Sequence, residues 1–187
     1  MTNPNPPVKR SPVDFLCVFL SSVFFLSFIP AKLILSFQLR FRKKTLEERR
    51  WTGAGLVGAV AGILTFLLLP ERFAESLWML LLGVIFSVAV SHRAEKVLGV
   101  HDDSRIVIDE WIGAWIAVWG LEPTLSVPVL MGFLFFRFWD VYKGPWGHAL
   151  QKLPGGLGIV FDDVGAGIVA NLCVRTLLFL VPHFRHH

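Results

Sequence analysis

The stretch GIVFDDVGAGIVANLCVRTLLFLV, residues 158–181, decides the fold, because it is predominantly apolar and long enough to span a bilayer, yet carries adjacent aspartates near its start. A helix needs about 20 mostly apolar residues to cross a bilayer, and this segment supplies them. A carboxylate beside hydrocarbon is costly unless it faces a cation, a proton relay or a wet cavity, so its placement reads as a functional site. The same combination recurs upstream. Asp102, Asp103, Asp109, Glu110 and Asp140, with Asp162 and Asp163, make up half of the chain's 14 acidic residues, and all sit at the ends of apolar stretches.

Composition agrees with this segment. The 187 residues are 54% hydrophobic and 17% charged, with a mean hydropathy of +0.61. That is more apolar surface than one water-soluble core absorbs. The expected fold is an all-α integral membrane protein, a single membrane domain over 1–187 built as a compact bundle of about five or six hydrophobic helices, some short or re-entrant. Residues 1–12 form a polar, Pro-rich tail that reads as retained. Cys17 and Cys173 lie inside apolar stretches and read as small packing residues. The net charge of +4 is no nucleic-acid signature. Arg40, Arg42, Lys43, Lys44, Arg49 and Arg50 cluster beside apolar segments, where basic residues set topology and meet anionic head groups of the lipid bilayer.

Six apolar segments follow one another. The first, Val13 to Phe37, is interrupted by Pro30 and Lys32 and reads as kinked, re-entrant or interfacial. The second, Gly53 to Leu69, opens with Gly53, Ala54, Gly55, Gly58, Ala59, Ala61 and Gly62, small residues that let a neighbouring backbone approach closely. The third, Ser76 to Val90, precedes a polar stretch from Ser91 to Arg105. The fourth and fifth, Ile106 to Leu121 and Leu125 to Trp139, are short for full spans, and the sixth is Gly158 to Val181. Basic loops (40–50, 91–105, 140–154) alternate with the turns near Pro70 and Pro123, which carry Arg72 alone and no basic residue. The positive-inside rule then places all seven acids on the cytoplasmic face, where four distant parts of the chain would converge on one pocket.

Neighbouring carboxylates on a helix diverge by about 100°, so each of the pairs Asp109–Glu110 and Asp162–Asp163 is expected to divide its labour. Oxygen ligands without nearby Cys suit a hard cation such as Mg²⁺, whose natural use is phosphate chemistry. Lys143 can meet a phosphate as a point charge or set topology, and Arg137, inside FLFFRFWD, must pair or snorkel. Gly155, Gly156 and Gly158 permit close backbone approach to a ligand. His101, beside Asp102, is either a proton carrier or a solvated loop residue. His92, His148 and the C-terminal histidines receive no role.

Three stretches carry a resemblance. GVHDDSRIVIDEWIGAWI at 99–116, FRFWDVYKGPWG at 136–147 and GGLGIVFDDVGAG at 155–167 together resemble the phosphatidylglycerophosphatase A family of bacterial inner-membrane lipid phosphatases. The resemblance makes 99–167 the active-site region. It implies Mg²⁺-dependent hydrolysis of a phosphorylated glycerophospholipid, phosphatidylglycerophosphate, to phosphatidylglycerol and inorganic phosphate, on the cytoplasmic face of a multi-pass protein of the inner membrane. The family's D-E motif falls on Asp109 and Glu110, its D-D-x-x-A-G motif on Asp162 and Asp163, its D-x-x-K element on Asp140 and Lys143, and its H-D on His101 and Asp102. The resulting assignment gives metal ligands Asp109, Glu110, Asp162 and Asp163; catalytic residues His101, Asp102, Asp109, Asp140 and Asp162; and substrate contacts Arg137, Lys143, Gly155 and Gly156. The family's Gly- and Pro-rich N-terminal element is replaced by RRWTGAGLVGAVAG at 49–62, a departure that bears on the choice of lipid. The alternative is a transporter or channel using the carboxylates for protons or cations, against which stand their one-sided placement and the lack of an inverted repeat. SHRAEKVLGVHD lacks the further elements of type 2 phosphatidic acid phosphatases, and FDDVGAG lacks the arginine of CDP-alcohol transferases. Oligomeric state is not read from the sequence.

Overall fold

The computed structural model describes residues 11–24, 26, 53–100, 103–142 and 145–181. Among them every regular element is a helix: α1 (Pro12–Ser21), α2 (Ala54–Leu68), the single turn α3 (Glu71–Ala74), α4 (Leu77–Leu98), α5 (Ile108–Val118), α6 (Val127–Val141), α7 (Pro145–Leu150) and α8 (Gly156–Leu180). Starts and stops follow local chemistry. Ser11 and Asp14 form a reciprocal capping box on α1, Ser76 caps α4, and Gly99 ends α4 in the left-handed conformation at φ 72°.

The short α5 lies at the centre. Its sequence IDEWIGAWIAV is apolar around most of its circumference, and such a helix must be covered on all sides. Residues Ile112 to Val118 are all buried, and α2, α4, α6 and α8 all pack against α5. Close approach depends on glycine. A β-carbon at Gly58 would strike the Val107 carbonyl, one at Gly62 the Trp111 carbonyl, and one at Gly167 of α8 the Gly113 carbonyl. The small-residue series of the second apolar segment therefore packs α2 on α5. Three indoles spaced four residues apart hold α5 along its length. Trp111 Nε1 donates to Thr65 Oγ1 (2.9 Å), Trp115 Nε1 to the Ala74 carbonyl (3.1 Å) and Trp119 Nε1 to the Glu75 carbonyl (3.0 Å). Trp111 and Trp115 also meet edge to face, 5.4 Å between centroids.

Two helices are long and apolar enough to cross a membrane, α4 with 22 residues and α8 with 25. At about 1.5 Å per residue they reach past a hydrocarbon core of about 30 Å. The other helices are shorter. α4 continues to Leu98, beyond Val90, where the apolar segment is expected to end, because Ser91 and Ala94 extend its buried stripe. Outward faces are apolar, with Trp78 76%, Leu134 56% and Phe179 74% exposed, while Ser87, Asp109, Asp163 and Asn171 are buried inside. The interior is apolar as well, with Phe66, Ile112 and Phe136 fully buried, so apolar side chains lie both inside and outside the bundle. Of the first apolar segment, α1 is described. It is tied to α4 by Asp14 and Arg93 (2.7 Å), and the Ser21 carbonyl accepts from Val107 N at 2.8 Å, just before α5.

Candidate active site

The carboxylates meet where the first turn of α5 faces α8. Asp109, Glu110 and Asp163 each present an oxygen, and these oxygens lie within 4.8 Å of one another. Asp109 and Asp163 are buried, 6% and 2% exposed. Asp163 lies one turn before Gly167, whose close contact with Gly113 sets the separation of α5 and α8 at this level. Three negative charges at such spacing repel strongly in a medium of reduced dielectric, roughly 4 kcal/mol per pair at 4 Å and an effective constant of 20. A cation or shared protons must offset them. Glu110 Oε2 is buried with no hydrogen-bond partner among the described residues. An all-oxygen donor set with a buried, unsatisfied lone pair fits a metal ion.

A second layer surrounds the cluster. On α6, Arg137 Nη1 pairs with Asp140 Oδ2 at 2.6 Å, and both side chains lie close enough for their charges to act on Glu110. Gly55 in the first turn of α2 closes the opposite side. A β-carbon there would overlap Glu110 Oε1 and come within 3.5 Å of Arg137 Nη1. Four parts of the sequence, in α2, α5, α6 and α8, thus surround one set of carboxylates. Asp162 is 3% exposed, and its Oδ1 accepts from Asp163 N at 3.0 Å, an orientation different from that of its neighbour in the cluster. Asp162 thus stands apart from the three-oxygen cluster that Asp163 joins, whereas Asp109 and Glu110 both enter it, because the longer glutamate side chain spans the angular offset.

Of the remaining sequence candidates, those among the described residues lie outside this cluster. Gly155 (φ 62°) and Gly156 pack on α4: a β-carbon on either would run into His92, and one at Gly156 also into the Val88 carbonyl. His92 Nδ1 accepts from Gly156 N at 3.5 Å, so a histidine given no role from sequence receives the start of α8. Both glycines thus lie in close contact with α4. Asp103 holds Arg105 through two side-chain contacts of 2.7 and 2.6 Å; this hydrogen bonding pushes the Arg105 guanidinium above its ordinary range and organises the loop entering α5. His101, Asp102 and Lys143 lie outside the described residues. Sequence reasoning assigned Gly55 to packing alone. Its position at the head of the 55, 58, 62 stripe that faces α5 is the signal that places it beside Glu110.

Residues 19–178 match the family model described as phosphatidylglycerophosphatase A. The chain belongs to the phosphatidylglycerophosphatase A family. Among curated relatives, phosphatidylglycerophosphatase A of Escherichia coli K12 is 36% identical over 69% of this chain and 74% of its own length. Its Haemophilus influenzae counterpart is 31% identical over 68% and 84%. A Bacteroides thetaiotaomicron protein named a putative phosphatidylinositol-3-phosphatase is 30% identical over 70% and 84%. No solved structure matches the chain. In this phosphatidylglycerophosphatase A family member the matched region takes in the α2 stripe, the α5 carboxylates, the Arg137–Asp140 pair and Asp163.

Proposed function

We propose that the protein is a Mg²⁺-dependent lipid phosphatase that hydrolyses phosphatidylglycerophosphate to phosphatidylglycerol and inorganic phosphate in phospholipid biosynthesis. The observation that carries this reading is the meeting of Asp109, Glu110 and Asp163 in a chain of this family. Asp109, Glu110 and Asp163 would hold the ion, with Asp162 at its edge. An ion held by these carboxylates would offset negative charge on the phosphoryl oxygens and so lower the barrier to attack. Arg137, half-committed to Asp140, can turn free guanidinium N–H groups toward a phosphate while keeping that pair. Lys143 adds a point charge. His101, Asp102 or Asp140 would activate an attacking water or protonate the leaving glycerol oxygen, with an aspartate nucleophile the alternative to water.

The apolar outward faces and the two long helices support a multi-pass protein of the bacterial inner membrane, and the basic loops support a cytoplasmic site. A phosphate on a lipid head group would then approach at the level of the carboxylates while its acyl chains stay in the bilayer.

Phosphate release from phosphatidylglycerophosphate in mixed micelles tests the reading. Activity should require Mg²⁺ and vanish with a chelator, and Asp163→Asn should lower kcat by about 10²-fold or more. Undiminished release in chelator would sink the ion. Turnover of phosphatidylinositol 3-phosphate with none of phosphatidylglycerophosphate would reassign the head group.

A further inference from the structure

The end of α5 opposite the carboxylates is also bound to α8, by different chemistry. The last carbonyls of a helix lack intrahelical donors, and in apolar surroundings they must find others. Asn171 Nδ2 lies 3.1 Å from the Ile116 carbonyl, 3.1 Å from that of Ala117 and 2.9 Å from that of Trp119. Arg175 Nε donates to Asn171 Oδ1 at 2.7 Å and holds that amide in place, while its Nη2 donates to the carbonyls of Trp119 (3.0 Å) and Gly120 (3.4 Å). Gly120, at φ 71°, is bare where a β-carbon would meet Arg175 Nη2.

Asp163, Gly167, Asn171 and Arg175 follow one another at intervals of four, so they form one stripe along α8. That stripe meets α5 at its acidic start, at its glycine crossing and at its carbonyl end. A rigid α5 fixed at its C-terminal end cannot slide along α8, and sliding is the motion that would separate Asp109 and Glu110 from Asp163. We propose that Asn171 and Arg175 form a positioning clamp that sets the axial register of α5 on α8, and through it the geometry of the carboxylate cluster about two turns away. The inference rests on the reading of that cluster as an ion site, and it adds residues that touch neither ion nor substrate.

The test uses the full-length protein in detergent, with Arg175→Met and Asn171→Leu as clamp variants and Val174→Ala as a control. Val174 is 1% exposed on the same helix, so its truncation loosens packing without touching the carbonyls. Two readouts are taken, Mn²⁺ affinity by titration calorimetry and hydrogen exchange of the Trp111–Ala114 amides in metal-free protein. The clamp variants should bind Mn²⁺ about tenfold more weakly and exchange those amides faster, although the deleted bonds lie at residues 116–120. Arg175→Lys should recover part of both losses. Wild-type-like values in the clamp variants, or equal changes in Val174→Ala at matched loss of thermal stability, would overturn the clamp. Should Asn171→Leu not fold, Arg175→Met decides. Should the wild type bind no Mn²⁺, the ion reading fails and the exchange result alone decides the clamp.

Discussion

Replacing Gly55 by alanine separates the chemistry of the site from the stability of the fold. The new β-carbon would overlap Glu110 Oε1 and lie 3.0 Å from Glu110 Cδ. These are the far atoms of a flexible side chain, so the clash is relieved by moving the carboxylate about 1 Å to ordinary van der Waals separation, at little cost to the backbone. Alanine also favours the helix by up to about 1 kcal/mol over glycine, so thermal stability should be close to that of the wild type. A displacement of about 1 Å at a reacting centre can cost about 10²-fold in rate, and the ion affinity should fall with it. Gly58→Ala is the counterpart. There the β-carbon meets the Val107 carbonyl and Val107 Cβ, the latter at 2.9 Å, and backbone cannot step aside. That substitution should destabilise by about 1–3 kcal/mol as α2 is pushed off α5. The assay pairs thermal unfolding in detergent with phosphate release across a Mg²⁺ titration. Gly55→Ala with unchanged kcat and unchanged Mg²⁺ half-saturation would refute the placement of Glu110 at the reacting centre.

Two other outcomes follow from the same contacts. Arg137→Lys keeps a charge beside Asp140 but loses the planar fork, so KM for the phosphorylated lipid should rise about tenfold or more with a smaller change in Mg²⁺ half-saturation; a shift confined to the Mg²⁺ titration would show that Arg137 serves the carboxylates alone. Thr65→Val and Trp111→Phe, singly and together, should show a coupling of about 1 kcal/mol in unfolding, reporting the 2.9 Å indole bond between α2 and α5; strict additivity would remove that bond from the account.

Periodicity and charge made much of this legible from the sequence. The final apolar segment with its paired aspartates emerges as α8 nearly as delimited, and the small residues from Gly53 to Gly62 read correctly as a packing face. What escaped was anything decided by distant partners. The end of α4 depends on which side of Ser91 and Ala94 is buried, and His92 gained its part only when the start of α8 came to rest on it. Angular reasoning about neighbouring carboxylates suited Asp162 and Asp163, where the side chains are equal in length. It misled for Asp109 and Glu110, because one extra methylene lets glutamate reach back to the point its neighbour faces. The carbonyl-binding role of Asn171 and Arg175 left no mark in hydropathy, since it depends on where α5 ends.

The edge-to-face indoles of Trp111 and Trp115 give the site an optical voice of its own. Trp111 directly follows Glu110 and its indole donates to Thr65 Oγ1 of α2, so the surroundings of this aromatic pair change when α5 shifts against α2. The chain has seven tryptophans, so the near-ultraviolet circular dichroism difference between wild type and Trp111→Phe isolates the part of the signal that watches the carboxylate end of α5, in the absence of substrate.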